Sequence, residues 1–166
     1  MNLRKPRILI TLSAAAVGVT LLGGTAFADK APDRDIPSQV TAWAAAWNGT
    51  DPHQLGNLFT SDGTYTDEAV VLTSHGRQEI SGWKARTDML IDNVHDTVTG
   101  AYRSGDHITI ESVYAGHIKG APKPFAVPMA TILVLDGKQI ASDKDYYNLN
   151  AVLTQSGLPT DWTPGK

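Results

Sequence analysis

An α+β fold, with a curved antiparallel sheet forming a cone packed against N-terminal helices, is the architecture this 166-residue chain predicts. Two observations carry that expectation. Helix-period segments gather in the first half, whereas the second half is a series of long β-type segments. Reversal signals then separate those segments: Arg103-Ser104-Gly105-Asp106, Lys119-Gly120-Ala121-Pro122 and Asp136-Gly137, the last being the strongest hairpin signature in the chain. Helices placed ahead of a β-meander cover one face of the sheet. Bending that sheet leaves a cavity between the layers.

The chain opens with a leader. Arg4, Lys5 and Arg7 precede an apolar run from Ile8 to Leu22, and Ala26-Phe27-Ala28 supplies a small-x-small cleavage pattern. Residues 1–28 therefore read as a signal peptide cut between Ala28 and Asp29, the alternative being retention as an uncleaved anchor, and the protein is expected to be secreted. Residues 29–37 read as a flexible lead-in, and 38–166 as one domain. The chain has no cysteine, which rules out a disulfide framework and a cysteine-linked lipid anchor. Its core alone must hold it.

Within the domain, Ser38 is placed to cap a helix running to about Trp47, with Val40, Trp43, Ala44 and Trp47 on one face. Two tryptophans on that stripe suit a core, and also a pocket wall. Asp51 caps a second short helix with Pro52 in its first turn and Leu55, Leu58 and Phe59 on the buried side. Ser61-Asp62-Gly63 reads as a turn, Thr64–Asp67 as a strand, and the stretch through His75-Gly76-Arg77 as a loop. A third helix follows over 78–91, with Ile80, Trp83, Thr87 and Leu90 on one side. Strands are expected over 94–103, 108–117, 125–135 and 139–147, then a short helix over 149–155.

Charge narrows the function. All 17 acidic residues follow the leader, whereas 3 of the 14 basic ones lie inside it, so the mature chain is strongly acidic. No basic stripe exists to neutralise phosphates, which argues against nucleic acid and against anionic membrane surfaces once the leader is gone. His53, His75, His95, His107 and His117 show no metal-ligand spacing, and there is no cysteine nucleophile, serine elbow or phosphate-cradling glycine loop. No metal and no cofactor is expected.

Two stretches carry the chemistry: Tyr65-Thr66-Asp67 and Asp143-Lys144-Asp145-Tyr146-Tyr147-Asn148. In each, a phenol lies two positions from a carboxylate, so both side chains share one face of a strand. Acids beside phenols on an apolar face are costly unless they meet a partner or a ligand. Tyr65, Asp67, Asp145 and Tyr147 are therefore expected to form the polar floor of a pocket, with Trp43, Trp83 and Tyr114 among its walls. Asp143 is expected to be solvated at the strand's end, leaving Asp145 alone pointing inward; the alternative, in a regular strand, is that the two share a face and the pKa of one is pushed upward and poised for proton transfer.

The sequence from Asn57 to Asp67, Gly76-Arg77 before a helix, Asp136-Gly137-Lys138-Gln139-Ile140, Asp145-Tyr146-Tyr147-Asn148 and Gly157-Leu158-Pro159 resemble, in order and spacing, the SnoaL-like branch of the nuclear transport factor 2-like superfamily. The resemblance spans nearly all of Gln39 to Trp162 and implies a cystatin-like α+β barrel. Ketosteroid isomerases, limonene-1,2-epoxide hydrolases and scytalone dehydratases are relatives. In the isomerases the position matching Asp67 is the general base, but their oxyanion donors fall at Trp43 and Ala130, which argues against steroid isomerisation. Epoxide-hydrolase counterparts are Tyr65, Asp67 and Asp145, yet Ser112 and Tyr114 stand where an arginine and an acid would be. SnoaL-like cyclases use a strand carboxylate of this cone as acid/base, a role open to Asp67 or Asp145.

The resemblance implies a hydrophobic small-molecule ligand and a homodimer formed through the outer sheet face, with Val113, Ala115, Ile132 and Val134 as contact residues. Two functions remain open. One is a cofactor-free acid/base enzyme of isomerase, cyclase, hydratase or lyase type. The other is a non-catalytic extracellular binding domain that kept the cavity.

Overall fold

In the computed structural model, residues 36–164 are described; the expected leader and all but the last two residues of the expected lead-in lie outside them. The elements run α1 (Ser38–Asn48), α2 (Pro52–Asn57), β1 (Phe59–Asp67), β2 (Leu72–His75), α3 (Gly76–Leu90), β3 (Ile91–Ser104), β4 (His107–Ile118), β5 (Phe125–Asp136), β6 (Gln139–Tyr147) and α4 (Leu149–Ser156). The sheet order is β2-β1-β6-β5-β4-β3. It is curved and open, and the α+β class stands.

One feature departs from the antiparallel expectation. β1 and β6 pair in parallel, so the sheet is mixed. The reason is topological: β6 returns to fill the gap between β5 and β1, and local turn signals say nothing about a partner some eighty residues away. Sheet curvature has identifiable causes. Register breaks fall between Asp92 and His95 and between Val98 and Gly100 on β3, and between Phe59 and Thr64 on β1. Each inserts unpaired residues that bend the strand and increase its twist. Asn93, within the first of these, adopts a left-handed φ of 55°, which its short polar side chain tolerates.

Several local expectations shift. The turn expected at Ser61-Asp62-Gly63 is instead a bulge inside β1, because buried Phe59 and Tyr65 on either side both pair with β6 and the residues between are extruded. The loop expected before α3 contains β2, a four-residue edge strand too short to show a period. Ser38 begins α1 but makes no side-chain cap, Pro37 being the residue before the helix. Asp51 does cap α2, accepting the His53 N–H at 3.0 Å. Leu90, expected on the same side as Ile80 and Thr87, is exposed, and α3 turns Ile80, Ser81, Lys84 and Thr87 inward.

Buried Lys84 ties α3 to the end of α1. Its ammonium contacts both Asp88 carboxylate oxygens at 2.6 Å, donates to the Gly49 carbonyl at 3.0 Å, and lies 5.9 Å from the Trp47 ring centre. A buried cation held this way is satisfied rather than stranded. The core joins Val40, Trp43, Leu55, Phe59 and Ile80 to inward residues of the sheet such as Ile108, Ile110, Leu133 and Ile140. Val113, Ala115, Ile132 and Val134 occupy the opposite phase of β4 and β5, on the face turned away from the helices.

α2 and α3 approach closely at Gly56. A Cβ there would meet the Ser81 Oγ at 2.3 Å and the Arg77 carbonyl oxygen at 2.5 Å. Gly56→Ala is therefore expected to destabilise by roughly 1–3 kcal/mol through overpacking. Gly82→Ala, where nothing lies within 4 Å, is expected to leave stability unchanged or raise it by about 0.5–1 kcal/mol. Urea unfolding of the two variants checks the pair.

Candidate functional site

The parallel register between β1 and β6 builds the site. It sets Tyr65 opposite Asp143 and Asp67 opposite Asp145, while β5 sets Thr131 opposite Asp145. All of these side chains point to the concave face. Each phenol then reaches one pair along: Tyr65 donates its hydroxyl to Asp145 Oδ2 at 2.6 Å, and Tyr147 donates to Asp67 Oδ2 at 2.9 Å. Thr131 donates a short hydrogen bond to Asp145 Oδ1. The structure thus brings Tyr65, Asp67, Asp145 and Tyr147 together.

They border a cavity of about 530 Å³. Its walls are aromatic and aliphatic: Trp47, Trp83 and Tyr114, with Met129, Val152 and Leu153. Tyr65 sits between Trp47 and Trp83, with ring centres at 5.7 and 6.3 Å, and Tyr114 packs edge-on against Tyr147 at 5.3 Å. The rim comes from the β1–β2 turn, Leu90 and Trp162. Val71, 87% exposed at that turn, holds a φ of 56°, an unusual conformation for a β-branched residue.

Two expectations are corrected. Trp43 is not a wall; it is fully buried behind the site, where its indole N–H donates to Asp143 Oδ2 at 2.9 Å. Asp143 is not solvated either. It is 0% exposed, because β6 keeps a regular alternation from Asp143 to Tyr147 and Asp143 therefore shares the inward phase with Asp145.

Sequence reasoning missed Asp96. It lies on β3 between Val94 and Val98, 3% exposed and bordering the cavity. Its backbone is clamped by Asn48: the Asp96 N–H donates to Asn48 Oδ1 at 2.7 Å, and Asn48 Nδ2 donates back to the Asp96 carbonyl at 3.1 Å. Oδ1 of its carboxyl has no hydrogen-bond partner. An acid in the apolar phase of a strand was the available signal. Of the two stripe tryptophans open to core or pocket wall, Trp47 is the one that lines the cavity.

Electrostatics follow from burial. Desolvation pushes Asp145 up to about 7, against the pull of the Thr131 and Tyr65 hydroxyls. Asp143 is raised well above the carboxylate range by desolvation and then by Asp145, with Trp43 opposing. Desolvation likewise raises Asp96, helped by Asp145 and opposed by Lys84. Asp67 is raised by desolvation, but the Tyr147 hydroxyl and the backbone N–H groups of Val70 and Ala69 pull it back. Asp67 Oδ1 accepts those two N–H groups at 3.2 and 3.0 Å and so closes the β1–β2 turn. Tyr65, Tyr114 and Tyr147 are all held as neutral phenols, chiefly by burial. A carboxyl near neutrality, bonded to hydroxyls at the edge of a cavity, can give or accept a proton at ordinary pH.

These raised values fix a sign for stability. The unfolded chain releases these protons near pH 4, whereas the folded chain keeps them to higher pH, so between about pH 4 and pH 7 the native state binds more protons and loses stability as pH rises. Asp143→Asn keeps an acceptor for Trp43 and removes the group whose proton uptake couples folding to pH. It is expected to be more stable than wild type at pH 7.5 by roughly 1–3 kcal/mol, the gap closing towards pH 4.5. Urea unfolding at both pH values measures it; an equal gap at both would contradict the assignment.

Comparison with known proteins locates the chain. A crystal structure of a Catenulispora acidiphila protein with a ketosteroid isomerase-like fold, in complex with trimethylamine, is 66% identical, with a TM-score of 0.78 over 78% of this chain and 100% of that one. An NTF2-like protein from Burkholderia thailandensis (18% identity, TM-score 0.64, 74% of this chain and 96% of that one) shares the fold. So does an LEH-like epoxide hydrolase of M. tuberculosis (14% identity, TM-score 0.61, 71% and 86%). No curated protein gives a significant match. The SnoaL-like domain model aligns with residues 40–142, and the chain belongs to the SnoaL-like family.

Proposed function

We propose that the domain takes a hydrophobic small molecule into the cavity and moves a proton on it without a cofactor, in an isomerase-, cyclase- or hydratase-type step. Asp145 is the proton carrier. The observation that carries this reading is a carboxyl pushed up to about 7 at the cavity wall, joined to the Tyr65 hydroxyl at 2.6 Å. Asp145 takes the ligand's proton or delivers it, and the Tyr65 and Thr131 hydroxyls that donate to it stabilise its ionised form. Asp67 is committed to the β1–β2 turn and to Tyr147, and serves by orienting that phenol over the ligand. That the Catenulispora relative was crystallised in complex with a small molecule, trimethylamine, agrees with this reading.

One observation favours a second reading, a binding domain without turnover. Trp43 and Ala130 stand where the resembling isomerases carry oxyanion donors, and the Trp43 N–H is already spent on Asp143. Asp145→Asn separates the readings. In the enzyme it abolishes turnover of a ketone, epoxide or polyketide-like substrate while ligand affinity stays within about tenfold, roughly 1.4 kcal/mol. A wild-type protein inert towards all three panels, yet binding one member tightly, favours the binder.

The leader and the outer sheet face support two further parts of the proposal: export with cleavage between Ala28 and Asp29, and a homodimer. Val113, Ala115, Ile132 and Val134 would pack against their copies on the partner. Protein recovered from culture medium is expected to begin at Asp29 on N-terminal sequencing and to scatter light as a dimer at micromolar concentration. A cell-bound chain that retains Met1, or a monomer, would count against the corresponding part.

A further inference from the structure

The cavity's charge is one-sided. Asp67, Asp96 and Asp145 all border it, and among the described residues no lysine, arginine or histidine does. Two of these acids are spoken for. Asp145 accepts from Tyr65 and Thr131, and Asp67 from Tyr147 and two backbone N–H groups. Asp96 differs: its Oδ1 has no partner, the residue is 3% exposed, and Asn48 holds its backbone from both sides. Lys84, the cation that acts on it electrostatically, is committed to Asp88 and the Gly49 carbonyl.

A buried carboxyl short of hydrogen-bond partners costs free energy that a ligand with no donor would not return. An ammonium group, which brings N–H donors and the opposite charge together, returns more of it than a neutral hydroxyl, and the surrounding walls suit one. Trp47, Trp83, Tyr65 and Tyr114 present aromatic rings, whose faces attract ammonium groups once water is excluded. The remaining aliphatic lining fits an apolar body behind the charged head.

We infer that the cavity selects ligands carrying a protonated amine on an apolar body, with Asp96 as the residue that receives the ammonium N–H. The inference rests on the small-molecule reading of the cavity and names the ligand's class. It also gives Asp96 a role separate from proton transfer at Asp145: anchoring the charge and so setting which molecules enter.

The test compares two probes of similar size, N,N-dimethylcyclohexylamine and the neutral 2-cyclohexylpropan-2-ol, by calorimetry at pH 7 on wild type and Asp96→Asn. The amine is expected to bind wild type at least tenfold more tightly than the alcohol. Asp96→Asn is expected to cost the amine at least tenfold while leaving the alcohol within about threefold, which also reports that the variant's cavity is intact. Equal or tighter binding of the alcohol to wild type would overturn the amine inference and leave the cavity reading standing. An amine preference untouched by Asp96→Asn would overturn the assignment to Asp96. Binding of neither probe would overturn both the inference and the cavity reading beneath it. The wild-type ratio needs no variant, so a misfolded Asp96→Asn still leaves the ligand class decided.

Discussion

Acids buried in one concave face, with hydroxyls and an indole as their donors in place of cations, are the constraint around which this fold is arranged. Asp67, Asp96, Asp143 and Asp145 are all buried, and the buried Lys84 is paired with Asp88 instead. Four ionised carboxylates in such a place would repel one another and forgo hydration, at a cost far above the margin by which a domain is stable. The structure meets the cost by keeping protons on some of them and by aiming neutral donors at the rest. Tyr65, Thr131, Tyr147 and Trp43 each have a defined acceptor among the acids.

That arrangement differentiates residues that look alike in sequence. Asp143 and Asp145 are two positions apart on one strand face, yet Asp143 is sealed behind Trp43 whereas Asp145 reaches the cavity. Asp67 faces Asp145 across β1 and β6, but two backbone N–H groups bind it into a turn. Hydrogen bonds to the charged form lower a carboxyl's pKa and desolvation raises it. The balance differs at each position, so one face holds a turn cap, a proton-bearing acid, a silent buried acid and an unpartnered one.

The shell around the acids matters as much as the acids. Trp47 and Trp83 flank Tyr65, and Tyr114 packs on Tyr147, which restricts the phenols to rotamers that reach the carboxylates. Bulges on β1 and β3 curve the sheet enough to leave space above this floor, and the helices close it from the other side. An apolar cavity over a protonated floor is suited to chemistry in which the protein itself supplies the proton.

The sequence alone determined the fold class, because period and turn chemistry are local. Asp136-Gly137, the helical stripe of Val40, Trp43 and Trp47, and Asp51 before Pro52 each specify their element with neighbours a few residues away. It also placed Tyr65 with Asp67 and Asp145 with Tyr147 on common faces, since alternation along a strand is equally local. What it left open depends on contacts between residues far apart in the chain. The parallel direction of β1 and β6, the burial of Asp143 behind Trp43 one hundred residues earlier, and the Asn48 clamp that holds Asp96 at the cavity are all of that kind. Whether a carboxyl holds its proton depends on desolvation and on donors arriving from other strands, and only the assembled tertiary structure brings those to one place.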